Sequence, residues 1–369
     1  MINLNNINTL SDDEIGQFLS RTLNTLLQGE NLDSDTMQGV MLAIMHGRCP
    51  DALMGAILVA LRTKGESIDE ITAAASVMRQ LAHNITLDDL TNVVDIVGTG
   101  GDGANLFNVS TAAAFVVSAS GAKVAKHGNR GVSTKSGSSD LLQTLGVRLD
   151  LTNDEVIRCI QEQQLGFLFA PNHHKAMRHA VGVRQQLKAR TIFNVLGPLT
   201  NPAGVVNSVI GVFDQSLCEP LAHVLKNLGS KHAIVVHSAD GLDEFSLADD
   251  SFVSELKDGV VSSNTISPRD VGIEPQSLDG LGVSSSKDSL ELITAALSGA
   301  SDDQRIKKAQ DIIALNAGAA IYVSGKADTL QSGVQIAKDT IGSGAALTKM
   351  REFAKLTQSL QSYKPIHQE

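Results

Sequence analysis

Tryptophan is absent from this chain, tyrosine occurs twice and cysteine only three times in 369 residues. Cys49, Cys159 and Cys218 are odd in number and far apart, with no CxxC and no Cys/His cluster, the pattern of reduced thiols in a cytoplasmic protein. No stretch reaches ~18 uninterrupted apolar residues, and the first residues, Met1 to Asn6, lack the basic region and apolar run of an export signal. A protein that is neither secreted nor membrane-spanning is expected. Basic charge is also short: 30 Lys and Arg against 40 Asp and Glu leave a formal charge of -10. That balance excludes nucleic acid or an anionic membrane as the main partner, since both need a basic footprint, so any phosphate site must be local.

What is present is 42% hydrophobic residues and 32 glycines, in a chain longer than one hydrophobic core usually serves. Apolar periodicity predicts four helices at 12–28, 34–46, 51–63 and 68–82, and no strand among them. After Asp88-Asp89 the texture changes to Val93-Val94-Asp95-Ile96-Val97, a β-branched run ending in glycines. Further strands are expected at 122–125, 206–213 and 233–237, separated by helices at 111–120 and 215–228, which implies a largely parallel sheet. A hairpin around Gly259, spanning 252–266, makes that sheet mixed, and from Asp288 to about Ser362 the pattern is helical again. The fold class read here is α/β: a small all-helical domain plus a larger α/β domain whose central sheet is flanked by helices.

Gly98, Gly100 and Gly103 satisfy GxGxxG after a strand, which is one reading of a dinucleotide site. A ribose-binding acid about 20 positions later is then required, yet there is no Asp or Glu after Asp102 until Asp140. The same stretch holds Lys123, Lys126, His127, Arg130 and Lys135, a local anion site inside an acidic protein. Asn108, Ser110 or Thr111 can cap the following helix, whose first N–H groups and dipole favour an anion. Asp243-Glu244, beyond a strand, offers two hard carboxylates suited to Mg²⁺. His46, His173, His179 and His223 match no metal spacing and read as structural or surface residues.

Four blocks resemble the anthranilate phosphoribosyltransferases, in that family's order. They are Asp95 to Thr111 (Asp-Ile-Val-Gly-Thr-Gly-Gly-Asp-Gly, then Phe-Asn-Val-Ser-Thr), Val124 to Arg130 with Ser136-Gly137-Ser138, Phe169-Ala170-Pro171 with Arg190 to Ala203, and Asp240 to Glu244. The resemblance implies that phosphoribosyl diphosphate is bound by Gly98, Gly101, Asp102, Asn108, Val109, Ser110 and Thr111. Lys126, His127, Gly128, Asn129, Arg130, Gly131, Val132, Ser133, Thr134 and Ser138 would complete that site. It places anthranilate near Gly98, Asn129 and Arg184, with His127, Gly197 and Pro198 lining the approach, and Mg²⁺ at Ser110, Asp243 and Glu244. An arginine suits a benzoate carboxylate, which its planar fork can hold by two parallel hydrogen bonds.

The reaction implied is attack by the anthranilate amine on C1 of the ribosyl donor with release of diphosphate, a tryptophan-biosynthetic step needing no covalent nucleophile. The resemblance further implies a helical domain of residues 1–89 completed by 172–192, an α/β catalytic domain of 90–171 and 193–369, and a homodimer through the helical domain. Three positions depart from the family pattern: Leu106 where Thr or Ser is usual, Lys175 where proline follows His174, and Gly182 for a proline two residues before Arg184. A pyrimidine nucleoside phosphorylase would need a Lys-x-Ser-Thr-Gly-Gly donor loop, which is absent. A non-catalytic phosphosugar- or nucleic-acid-binding paralogue sits poorly with Asp243-Glu244, Asn129, Arg184 and the acidic charge.

Overall fold

A computed structural model of the chain describes residues 9–89, 91–131 and 135–360. Four helices come first, α1 (Asp12–Leu27), α2 (Ser34–Met45), α3 (Asp51–Lys64) and α4 (Ile68–Leu81). Short polar side chains set their starts: Ser11 and Ser67 form reciprocal capping boxes with Glu14 and Glu70, and Asp33 accepts from Thr36 N.

The α/β part runs β1 (Val93–Gly98), α5 (Val109–Ala119), β2 (Lys123–Gly128), α6 (Ser138–Leu145), α7 (Asn153–Gln163), β3 (Leu165–Phe169) and the short α8 (Ala170–His173). It continues through α9 (Arg178–Leu187), α10 (Phe193–Leu199), β4 (Asn207–Gly211), α11 (Cys218–Asn227), β5 (His232–Ser238), β6 (Ser251–Lys257) and β7 (Val260–Ile266). Helices α12 (Ser286–Ala296), α13 (Gln304–Val323), α14 (Leu330–Gly342) and α15 (Ala345–Ser359) complete it, the expected end near Ser362 lying outside the described residues. None of the described helices is long and apolar enough to cross a membrane.

The seven strands form one sheet in the order β3-β2-β1-β4-β5-β6-β7. Strands β1 to β5 are parallel, and β6 and β7 are antiparallel. Asp258 and Gly259, both at positive φ (51° and 76°), make the two-residue turn between β6 and β7. Two expectations change. Strand β3 lies where the short run Leu165 to Phe169 gave no periodicity to read; Gly166 makes it fit, since a Cβ there would stand 2.6 Å from Ile160 of α7. Strand β2 extends through Lys126, His127 and Gly128 instead of stopping at Ala125. The Lys126 and His127 side chains are buried there because partners on other elements receive them, which a local pattern does not reveal.

One sheet face packs with α5 and α12 to α15. Ile210, Val212 and Val235 on the other side join a core shared with α1 to α4, with Ala180 and Val183 of α9, and with α10. The architecture is therefore a small helical domain joined to a larger α/β domain with a mixed, mostly parallel sheet. Because β2 and β4 flank β1 on opposite sides, the chain reverses direction between β1 and β4. In such sheets ligands bind in the crevice at the carboxyl ends of those strands.

Candidate active site

Strands β1 and β4 end side by side, with Gly98 the register partner of Gly211. The turn after β5 lies across both ends. A Cβ on Gly211 would collide with the Asp243 carbonyl, and one on Gly98 would stand 2.5 Å from Asp243 Oδ2. Two glycines thus let the acidic pair sit directly on the sheet edge. Asp243 Oδ2 accepts from Gly100 N at 2.7 Å, and Glu244 Oε1 accepts from Ser110 N at 3.2 Å. Ser110 stands in the first turn of α5, the positive end of that helix. Lys126 Nζ donates to Ile96 O and, at 3.3 Å, to Ser110 Oγ, so this cation lies beneath the start of α5.

Burial, and then the negative charge of Asp102, pushes the Asp243 carboxyl up to about 7. Burial and the neighbouring Asp243 raise Glu244 well above the usual carboxylate range, and its Oε2 is buried with no partner. Burial lowers Lys126, against the pull of Asp95 and Glu244. Two half-buried carboxylates, one with an orphaned buried oxygen, beside a serine hydroxyl fit Mg²⁺, which commonly takes one or two carboxylates and shares itself with substrate phosphates. Among the described residues no group of three or more His, Cys, Asp or Glu could hold a metal unaided.

Asn108 occupies the N-cap position of α5 but does not cap it, which corrects the expectation drawn from its residue type. Its Nδ2 donates to Ser136 O at 2.9 Å, and its Oδ1 accepts from Ser136 Oγ and Ser289 Oγ, each at 2.8 Å. The side chain is therefore spent on joining the two loops and α12. Thr111 Oγ1 is buried without a partner. In the second loop, Asp140 Oδ2 accepts from Gly131 N at 3.0 Å and Gly137 N at 2.9 Å, pinching the loop at its base. Ser138 Oγ donates to Asn129 O at 3.2 Å, and Arg130 lies 6.0 Å from the Phe169 ring. Val132, Ser133 and Thr134 lie outside the described residues.

Leu106 is half-buried, packs on the α/β core and bridges Gly282. Leu106→Thr is accordingly expected to cost about 1 kcal/mol and lower Tm by a few degrees without improving donor KM. A donor KM that falls several-fold at unchanged Tm would show that the hydroxyl, not packing, matters there.

On the other side of β1, His127 N donates to Asp95 Oδ1 at 3.1 Å and His127 Nδ1 donates to Gly197 O at 3.2 Å. Asn201 Nδ2 donates to Asp95 Oδ2 at 2.8 Å. Burial raises the Asp95 carboxyl to about 6 against the attraction of Lys126. Burial pushes His127 down to about 3 and His174, whose ring centre lies 5.2 Å away, down to about 4. Both rings leave Nε2 buried and unpartnered. Arg184, on α9, is half-buried, stands 5.3 Å over the Phe193 ring of α10, and has no carboxylate partner among the described residues. Helix α9 runs unbroken through Gly182, and Lys175 opens a single 3₁₀ turn, so the two departures near Arg184 leave its helix continuous.

Of the four histidines set aside above, His173 Nδ1 donates to His83 O at 2.7 Å, His179 lies against Gly47, His46 ends α2, and His223 Nε2 stands 3.9 Å from Glu219 on the surface of α11. Sequence reasoning passed over Asp95, Asp140, His174 and Asn201. A signal existed for two of them, an acid inside a β-branched strand and the first acid after an acid-free stretch. His174 and Asn201 acquire partners only through folding.

Two half-buried carboxylates at the joined ends of β1 and β4, beside the start of α5, on a small helical domain joined to an α/β domain, are features of a glycosyl transferase. Family models agree: the glycosyl transferase family a/b domain matches residues 90–347 and its helical bundle domain matches residues 20–82. An anthranilate phosphoribosyltransferase of Psychrobacter sp. (strain PRwf-1) is 57% identical over 356 residues, 95% of this chain and 96% of that protein. The crystal structure of anthranilate phosphoribosyltransferase from Thermus thermophilus superposes with a TM-score of 0.85 at 38% identity, covering 92% of this chain and 99% of that one. The Saccharomyces cerevisiae enzyme in complex with PRPP and Mg gives a TM-score of 0.82 at 28% identity, covering 93% and 98%. The chain belongs to the anthranilate phosphoribosyltransferase family.

Proposed function

We propose that this protein transfers the 5-phosphoribosyl group of phosphoribosyl diphosphate (PRPP) to the amine of anthranilate, releasing diphosphate, in the cytoplasm and with Mg²⁺. The observation that carries this reading is the half-buried Asp243-Glu244 pair, held over the ends of β1 and β4 with the buried Glu244 Oε2 unpartnered. Ser110, Asp243 and Glu244 would hold the metal. Bound Mg²⁺ supplies positive charge to the departing diphosphate.

The donor would lie on Gly98, Gly101, Asp102 and the Asn108 to Thr111 helix start, under the Lys126 to Thr134 segment and Ser138. The positive end of α5 favours its phosphates. Lys126, buried beneath that helix, adds a fixed cation that needs no reorganisation as negative charge develops on the leaving group. Anthranilate would meet Arg184, Asn129, Gly98, Gly197 and Pro198. His127 stays neutral because burial holds its pKa near 3, and with Nδ1–H committed to Gly197 O its Nε2 is an acceptor only. It can therefore orient an amine N–H without removing the proton. An aniline-type amine is already neutral at pH 7, so positioning of amine and C1 carries much of the remaining barrier.

Consumption of anthranilate fluorescence with PRPP and Mg²⁺ tests the assignment, and a chain that leaves the fluorescence unchanged with both present would refute it. Arg184→Ala is expected to raise anthranilate KM by roughly 10- to 100-fold, the worth of a lost charge-assisted carboxylate contact, with little change in PRPP KM. Equal rises for both substrates would remove Arg184 from the acceptor site. Residues 172–192 are proposed to complete the helical domain of 1–89, supported by the packing of Ala180 and Val183 with α1 to α4. Residues 90–171 and 193–369 would then form the α/β domain. A homodimer through the helical domain belongs to the same reading; Leu27, Val59 and Val181 are exposed apolar residues on that domain, as Val260 is on the α/β domain.

A further inference from the structure

The donor loop between β1 and α5 is held from outside by a residue to which neither the motifs nor the site chemistry assigns a task. Arg190 is exposed, in the segment between α9 and α10. Its guanidinium carbon lies 4.0 Å from the centre of the Phe213 ring, and its Nη2 donates to Gly101 O at 2.5 Å. Phe213 is tied to the start of the same loop, because its N–H donates to Thr99 Oγ1 at 3.1 Å while Thr99 N donates to Gly211 O at 2.9 Å. Arg190 is itself anchored to the helical domain: its carbonyl accepts from Arg62 Nη1 of α3 at 2.8 Å. Gly101 has a φ of 89°, and a Cβ there would stand 3.2 Å from Nη2, so the contact relies on the bare backbone. The nearby charged group Asp214 makes no ion pair with Arg190 within 4.0 Å among the described residues, so the guanidinium's placement rests on the ring and the carbonyl.

We infer that Arg190 is a positioning residue for the donor loop: stacked on Phe213, it fixes the Gly101 carbonyl and thereby aims the neighbouring backbone N–H groups at the donor phosphates. This rests on the reading that the loop from Gly98 to Thr111 binds PRPP. The role needs a planar cation. Only a guanidinium stacks flat on a ring while its edge donates to a fixed carbonyl, whereas an ammonium is a point charge that cannot hold both contacts in this geometry. The segment that begins at Arg184 on the acceptor side thus ends on the donor loop, with Arg62 bracing it from α3.

Steady-state kinetics and thermal midpoints of Arg190→Ala, Arg190→Lys, Phe213→Leu and Phe213→Tyr test the inference. Arg190→Ala is expected to raise PRPP KM about ten-fold, the effect of one charge-assisted contact, with anthranilate KM and kcat within two-fold of wild type. Arg190→Lys and Phe213→Leu should match it, and Phe213→Tyr, which keeps the ring, should retain the wild-type value. An unchanged PRPP KM in Arg190→Ala overturns the inference, as does wild-type behaviour of Arg190→Lys, which would mean that charge alone suffices. Parallel rises in both KM values with a lowered midpoint would mark Arg190 as merely structural and overturn it too. A wild-type protein that turns over no PRPP defeats the functional reading itself, which active wild type with an unaffected Arg190→Ala does not.

Discussion

The double variant Asp243→Asn, Glu244→Gln is expected to fold, to be at least as stable as wild type in the absence of metal, and to lose about 1,000-fold or more in turnover. Stability holds because the amide oxygens still accept from Gly100 N and Ser110 N, the two contacts that place these side chains. The sign of the charge effect follows from the raised carboxyls: ionising Asp243 and Glu244 in the folded protein costs stability as pH rises above the usual carboxylate range, and the amides abolish that cost. Turnover falls because amide oxygens carry no charge to hold Mg²⁺ against the diphosphate, a contribution of several kcal/mol. A thermal shift supplies a second readout. Wild-type Tm should rise when Mg²⁺ and PRPP are added together, and the variant should respond far less. Full activity of the variant at limiting Mg²⁺ would reject these residues as the metal ligands.

Gly211→Ala should damage both stability and activity, through backbone and not through chemistry. Its new Cβ is directed at the Asp243 carbonyl, which has no flexible side chain to swing away, so either the end of β4 or the turn bearing the acidic pair must shift. Overpacking of this kind costs about 1–3 kcal/mol or more, and a displacement of ~1 Å in positioned groups lowers turnover by about 100-fold. Gly16→Ala is the contrast. It lies within α1, where an added methyl would meet nothing within 4 Å, so it should leave turnover alone and raise stability by up to ~1 kcal/mol. Wild-type turnover in Gly211→Ala would mean that the acidic pair does not depend on its seat over β4.

The helices α1 to α4, the hairpin at Asp258-Gly259 and the parallel strands β1, β4 and β5 were legible in the sequence, because each is announced within a few residues by periodicity, a capping side chain or a turn pair. The glycine loop after β1 and the adjacent Asp243 and Glu244 were visible in the sequence as motifs, and the resemblance gave them the phosphate and metal roles proposed above. Sheet order was not. The insertion of β1 between β2 and β4 is what brings Gly98 beside Gly211, and no local pattern contains it. The dinucleotide-type glycine spacing shows the limit well: the sheet does reverse at β1, as a dinucleotide fold would, but β2 carries Lys126, His127 and Gly128 at its end, where that ligand would need an acid.

Side-chain assignments divided along the same line. Residue type alone makes Asp243 and Glu244 able to serve as oxygen ligands and Arg184 able to hold a carboxylate, since charge and shape belong to the side chain wherever it stands, but only the resemblance assigned them those roles. Residue type misassigned Asn108, a good capping residue drawn instead to Ser136 and Ser289, 28 and 181 positions away. It was silent on Asp95, which finds Asn201 across 106 positions, and on Arg190, which finds Gly101 across 89. The sequence by itself therefore determined the elements and the kind of chemistry, because propensity, capping and charge act over one or two turns of chain. Only the tertiary structure decided which polar groups meet, because burial makes every donor and acceptor seek its partner in space, and that partner is set by packing and not by neighbourhood in the chain.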